Sequence, residues 1–137
     1  MNEKVIARAE EIINNKKVSF CTLALIDEKG YPTASTVSVS KADGIKWLAF
    51  CVGLNENKAK RAAKNNRACV CVNAGDFNIT LVGTAEVLTD PETKKEMWYP
   101  GCEEHWAGAD DPEYCVLRFN TERYNLFVGW ESAEGVL

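Results

Sequence analysis

The chain has 137 residues, the length of one ordinary domain and enough to bury a core without disulfides or metal. Sixteen basic against twenty acidic side chains leave a net charge of −4, which excludes a surface built to neutralise many nucleic-acid phosphates. No stretch approaches the roughly 20 apolar residues that cross a bilayer as a helix, and the start "MNEKVIARAEEIINNKKV" is amphipathic, so a cytoplasmic protein without a membrane partner is expected.

Val5, Ile6, Ala9, Ile12 and Ile13 recur at helical spacing, which predicts a helix over residues 3–15, closed by Lys16 and Lys17. The β-formers of "VSFCTLALI" run into the turn "DEKG", and "YPTASTVSVSK" returns as the second strand of a hairpin. A second turn, "KADG", leads to "IKWLAFCV". Strands joined by such short turns make an antiparallel meander, because parallel neighbours need crossovers of a dozen residues or more.

Next comes "GLNENKAKRAAKNNRACVCV", a cationic helix with Asn55 as its expected N-cap, Glu56 in its first turn and "KNN" at its end. "RACVCVN" and "NITLVGTAEVL" pair across "AGDF"; in the latter Ile79, Leu81, Gly83, Ala85 and Val87 share one face, and Asn78, Thr80, Val82, Thr84 and Glu86 the other. "DPETKKEMWYPG" reads as a helix from Asp90, with Pro91 at its first position, ending before Pro100. The loop "CEEHWAGADDPE" then precedes two last strands, "YCVLRFN" and "YNLFVGW". Short antiparallel strands with helices between them imply one small barrel or sandwich spanning residues 1–137, closed to remove its edges.

Catalytic groups are scarce: there is one histidine, and no GxSxG, Walker loop, HExxH or Rossmann fingerprint. The acidic pairs read as solvated turns and helix faces, so a cofactor is expected to carry any reaction. In a reducing compartment the six cysteines stay free; Cys21, Cys51, Cys69, Cys71 and Cys115 lie in apolar stretches and read as core residues. Cys102 and His105 form a CxxH pair without further ligands nearby, and no metal is expected.

A strand ending at Val52 and passing through Gly53 into a helix start offers free N–H groups and a positive dipole end, suited to a cofactor phosphate, with Lys58 adding charge. Lys60, Arg61, Lys64 and Arg67 lie further along and are expected to face water. Upstream, Ala34, Thr36, Ser38 and Ser40 share one strand face and Ser35, Val37 and Val39 the other; the hydroxyl row suits a wet face or a flat polar ring. Of the four tryptophans, Trp47 is expected in the core, whereas some of Trp98, Trp106 and Trp130 are expected at an interface or a ring-stacking groove.

The succession "DEKGYPTASTVSVSK", "IKWLAFCV", "NKAKRAAKNNRACVCV" and "LVGTAEVL" resembles the flavin-binding split barrels of the pyridoxamine 5′-phosphate oxidase superfamily. "KKEMWYPGCEEHWAGADDPEYCVLRFNTERYNLF" is similar to its general stress protein 26 branch, and together the likeness spans roughly residues 5–130. The resemblance implies a mainly β (α+β) fold, a six- to seven-stranded antiparallel split β-barrel with peripheral helices. It also implies an obligate homodimer, with FMN in a groove between the subunits and deazaflavin or haem as lesser alternatives.

By position, Ser35, Thr36, Val37 and Ser38 would run beside the flavin ring and ribityl chain, with Cys51 and Val52 as a second strand of contacts. Asn57 and Lys58 would lie at the phosphate, and Thr80 would reach the ring from the partner subunit. Where flavin-binding members commonly place an arginine, this chain has Ser35; where they place a serine and a second cation, it has Glu56 and Asn57. That pattern implies a flavin-binding, oxidoreductase-like protein with weaker phosphate contacts than usual. The alternatives are a non-catalytic dimer holding flavin, haem or another planar ligand, and a structural protein whose site has decayed. Oxidation of pyridoxamine 5′-phosphate itself is not expected, because no second basic cluster is present for the substrate's phosphate.

Overall fold

Alternation of apolar and polar residues decides which side of each strand faces inward, and here the inward sides close on one another. The computed structural model describes residues 2–15 and 20–137. Its elements are α1 (Asn2–Asn14), β1 (Phe20–Ile26), β2 (Pro32–Asp43), β3 (Trp47–Gly53), α2 (Asn57–Lys64), β4 (Arg67–Ala74), β5 (Phe77–Leu88), α3 (Pro91–Met97), a 3-10 turn (Cys102–Glu104), β6 (Tyr114–Val128) and β7 (Glu131–Val136). Neighbouring strands are antiparallel in the order β3-β2-β1-β4-β5-β6-β7, and β3 also pairs with β6. The first six strands thereby form a closed barrel with β7 as an extra strand beside β6, which is the architecture expected.

The meander and the hairpin are both present, with Ala24 opposite Ala34 and Cys71 opposite Thr80. The "DEKG" turn is fixed by Asp27, whose carboxylate accepts from the N–H groups of Lys29 and Tyr31, each at 2.9 Å. The barrel core is Leu23, Phe50, Val70, Ile79, Leu81, Leu117, Phe119 and Leu126, to which α1 adds Val5, Ala9 and Ile13 and α2 adds Ala59 and Ala62. Each large apolar side chain so buried stabilises the fold by about 1.5–3 kcal/mol. No described helix is long and apolar enough to cross a membrane.

Several expectations are corrected. "YCVLRFN" and "YNLFVGW" are one 15-residue strand, β6, and the polar "NTER" between them marks a change of partner rather than a break. Pairing with β3 ends at Asn120 and pairing with β7 begins at Arg123. At the changeover the Thr121 N–H donates to Lys46 O at 3.0 Å and its hydroxyl to Ile45 O. Strand β7 went unforeseen because "ESAEGV" is poor in β-formers and buries only Ala133. A two-residue turn with positive φ at Gly129 (56°) and Trp130 (68°) creates it.

Three smaller differences concern turns. Strand β2 runs on through Asp43, and Ile45 is a buried plug in the following turn rather than the first residue of β3. The N-cap of α2 is Glu56, not Asn55. Lys16 and Lys17, expected to close α1, and Val18 and Ser19, expected to open β1, lie outside the described residues.

Strand β5 crosses β6 at a register shift between Val82 and Gly83. A Cβ at Gly83 would stand 2.0 Å from the backbone oxygen of Asn120, which cannot move without breaking the sheet. Gly83→Ala is expected to cost about 3 kcal/mol or more, read as a lowered urea midpoint; a wild-type midpoint would show that the strands part readily at this crossing.

Candidate functional site

A cavity of about 480 Å³ lies outside the barrel, between β2 and β3 on one side and the segment after α3 on the other. Thr36, Val37 and Ser38 line it from β2, Cys51 and Val52 from β3, Glu56 and Lys58 from the start of α2, and Tyr99, His105 and Trp106 from the opposite wall.

That wall exists because the first part of β6 is buried on both faces. Cys115, Leu117 and Phe119 point into the barrel, while Tyr114 and Val116 point outward beneath Met97, Trp98 and Trp106. The rings of Trp98 and Trp106 lie 5.3 Å and 5.0 Å from that of Tyr114. Helix α3 starts as its sequence dictates: Pro91 occupies the first turn, and the Asp90 carboxylate accepts from Thr93 N–H at 3.0 Å and its hydroxyl at 2.8 Å. Those bonds hold the Asp90 carboxyl below its ordinary pKa.

Polar bonds then fasten helix to barrel. The Tyr114 hydroxyl donates to Lys94 O at 2.7 Å, and the buried Lys94 ammonium donates to Asp111 O at 2.7 Å. From the barrel side, the Ser40 hydroxyl and the Cys51 thiol both donate to Met97 O, the latter at 3.2 Å.

The electrostatics divide the groove. At one end Lys58 Nζ lies 3.1 Å from Glu56 Oε1, and the other Glu56 oxygen accepts from the N–H of Gly53. Elsewhere burial raises the pKa of two of the lining groups. Burial pushes the Cys51 thiol up to about 12, against the opposing effect of the Tyr114 hydroxyl 3.4 Å away and with the neighbouring Cys102 adding to the rise. Burial also raises the Tyr99 phenol, which Ser38 partly offsets by hydrogen bonding. A thiol so placed is a packing group and weak donor, not a nucleophile.

Of the residues expected at a cofactor, Thr36, Val37, Ser38, Cys51, Val52 and Lys58 are brought together in this groove. Ser35 and Asn57 are exposed and are not among its lining residues. Thr80 lies apart, in a cavity of about 500 Å³ with Arg123, Asn125 and Glu134. Tyr99 and His105 were not foreseen; the signal was the aromatic pair before Pro100 and Gly101, which stops the helix and turns its rings toward the barrel.

Other side chains also moved sides. Cys21 and Cys115 are core residues as expected, but Cys51, Cys69 and Cys71 are half-buried on the outer face, since Ala68, Val70 and Val72 take the inward positions of β4. Cys102, set apart from the apolar five, is buried. Trp47 is half-buried outside the barrel with the Arg118 guanidinium 4.5 Å from its ring, because Leu48 and Phe50 fill the inside. A second cavity of about 730 Å³ shares Ser38 and Tyr99 with the groove and continues past Val39 and Ser40 to Trp47 and Pro100.

A model of the pyridoxamine 5′-phosphate oxidase family matches residues 7–127. Among solved structures, a protein from Clostridium acetobutylicum related to general stress protein 26 of B. subtilis aligns with a TM-score of 0.86 at 27% identity, over 100% of this chain and 97% of that one. A pyridoxamine 5′-phosphate oxidase-related, FMN-binding protein from Nostoc punctiforme aligns at 0.69 with 15% identity, over 96% of this chain and 94% of that one. A heme binding protein from Mycobacterium smegmatis aligns at 0.74 with 19% identity, over 95% of this chain and 57% of that one. No curated protein sequence matches the chain.

Tyr114→Phe leaves the Lys94 carbonyl buried without its donor, and a loss of about 1–3 kcal/mol is expected in urea unfolding. The thiols set a pH dependence as well. Cys21 and Cys51 are pushed up to about 12 and Cys115 to about 11, from an ordinary value of 9.0. Unfolded thiols ionise first, so stability should hold up to about pH 9 and decline as pH rises toward the folded-state values. Cys51→Ala should shallow that decline, and an unchanged slope would remove Cys51 as a contributor.

Proposed function

Because the chain belongs to the pyridoxamine 5′-phosphate oxidase family, matched over residues 7–127, we propose that it is a flavoprotein of the general stress protein 26 type, with FMN in the groove beside β2 and β3. The observation that carries this reading is the division of the groove into a neutral body and one anion-holding end. Thr36, Ser38, Cys51 and Tyr99 offer neutral hydrogen-bonding groups, and the rings of Tyr99 and Trp106 face them. Lys58 and the Gly53 N–H, already holding a carboxylate, form an end of the kind a phosphate needs. A flat ring system with one anionic tail has that same division, and a cavity of about 480 Å³ is of the size that takes such a ligand.

When bound, flavin supplies hydride or single-electron transfer. The chain's own part is to orient the ring along the hydroxyls of β2, keep the Cys51 thiol protonated beside it, and leave Tyr99 and Ser38 at the opening into the larger cavity, which would receive the second reactant. We take the assembly to be a homodimer, with the partner covering the outer face of β1, β4 and β5, where Phe20 is 61% exposed and Cys69, Cys71 and Val82 are half-buried. Thr80 sits on that face, away from the groove of its own chain, which suits a role toward the partner's ligand. We also place the protein in the cytoplasm, in keeping with its free cysteines.

One observation favours a second reading, haem binding: the exposed imidazole of His105 lines the groove, and a structural neighbour is a heme binding protein. Titration separates the two. Saturable quenching of flavin fluorescence at one FMN per chain is expected for a flavoprotein. Absence of quenching, together with a haem absorption band that His105→Ala abolishes, would replace it with the second reading.

A further inference from the structure

Glu56 is the N-cap of α2 by backbone geometry, yet its side chain makes no cap hydrogen bond. It turns back into the groove instead. One carboxylate oxygen accepts from the N–H of Gly53, and the other lies 3.1 Å from Lys58 Nζ. Gly53 is bare at the place where the carboxylate rests, since a Cβ there would stand 2.8 Å from Glu56 Oε2. Both groups that would grip an anion at this end of the groove therefore already hold one. The Lys58 side chain is 24% exposed and that of Glu56 47%, so the cation is the fixed member of the pair and the carboxylate the one free to leave.

Among the described residues, the other cations of the helix are engaged elsewhere. Arg61, about one turn further along the same helix, donates to Thr33 Oγ1 at 3.2 Å and lies 3.5 Å from Glu28 Oε1. Lys60 and Lys64 line a separate small cavity with Asp27 and Glu28. An incoming phosphate must either displace the Glu56 carboxylate or stand beside a like charge, and each course removes most of what the phosphate would gain.

Resting on the flavin reading of this groove, we propose that Glu56 is an internal carboxylate that occupies the phosphate end, so that the ligand is selected by its neutral ring and polyol and not by its phosphate. Riboflavin and FMN then bind alike, and FMN reaches Lys58 only by displacing Glu56. Specificity for the phosphorylated form is a difference of two affinities, and this carboxylate sets it near zero.

Fluorescence titration of riboflavin and of FMN against the wild-type protein and Glu56→Gln tests the assignment. Glutamine keeps the size of the side chain while removing its charge and freeing Lys58. The wild type is expected to bind both flavins within about threefold of one another, and Glu56→Gln to tighten FMN by about tenfold or more with riboflavin unchanged. A wild-type preference for FMN of about a hundredfold, or FMN binding untouched by Glu56→Gln, would overturn the role of Glu56 and leave the flavoprotein reading intact. Failure of both proteins to bind either flavin would overturn that reading and this inference together.

Discussion

The pairing of β3 with β6 is the constraint from which the rest of the molecule follows. Without it the sheet would end on the edge of β3 and expose a row of unpaired backbone groups. With it, six strands close, and the first part of β6 is caught between the barrel interior and whatever lies outside. Tyr114, Cys115, Val116 and Leu117 are all fully buried, a run that no strand with one wet face can show. The outward members, Tyr114 and Val116, need a cover, and α3 with the tryptophan-bearing segment after it supplies one. The groove is the gap left between that cover and the exposed part of β2.

What keeps the gap open is polar rather than apolar. Helix α3 ends at Met97, and its last carbonyl would be an orphan if the Ser40 hydroxyl and Cys51 thiol did not donate to it. Tyr114 does the same for Lys94 O from below. The thiol and phenol among these donors are kept protonated by burial, so the bonds to the two carbonyls are made by uncharged groups. The result is an aromatic face set against a strand of hydroxyls, with an ion pair of residues 56 and 58 at one end.

Much of this was legible in the sequence because period-two alternation and turn chemistry are local. Val37, Cys51 and Val52 are placed beside a ligand only by the family resemblance, whereas the meander, the β4–β5 hairpin, the start of α3 at Asp90, the hydroxyl row of Thr36 and Ser38 and the place of Lys58 followed from short stretches read in order. Elements fixed by distant partners did not. The two-sided burial of β6 makes "YCVLRFN" look like an isolated strand, and its continuation through "NTER" depends on Lys46 and Ile45, some 75 residues earlier in the chain. The outward placement of Cys69 and Cys71 depends on Ala68, Val70 and Val72 facing the core, and alternation alone does not say which set wins when both are apolar. Tyr99 and His105 come to the groove only because α3 docks on Tyr114.

The cationic helix behind the groove illustrates why composition is a poor guide to charge at a site. Five basic residues between Lys58 and Arg67 suggest an anion-binding surface, yet their side chains fan around the helix and past its end. Ala59 and Ala62 face the core, which turns Lys60 and Lys64 toward Asp27 and Glu28 and leaves Arg67 exposed at the head of β4. Arg61 bridges to the hairpin through Thr33. Of these five, Lys58 meets the groove, and the residue two positions before it brings a carboxylate to the same place. The sum at that end is an ion pair and a backbone amide. A ligand recognised there is oriented by local geometry more than attracted by net charge, which is how an acidic chain can carry a cationic helix beside its site without the site being strongly cationic.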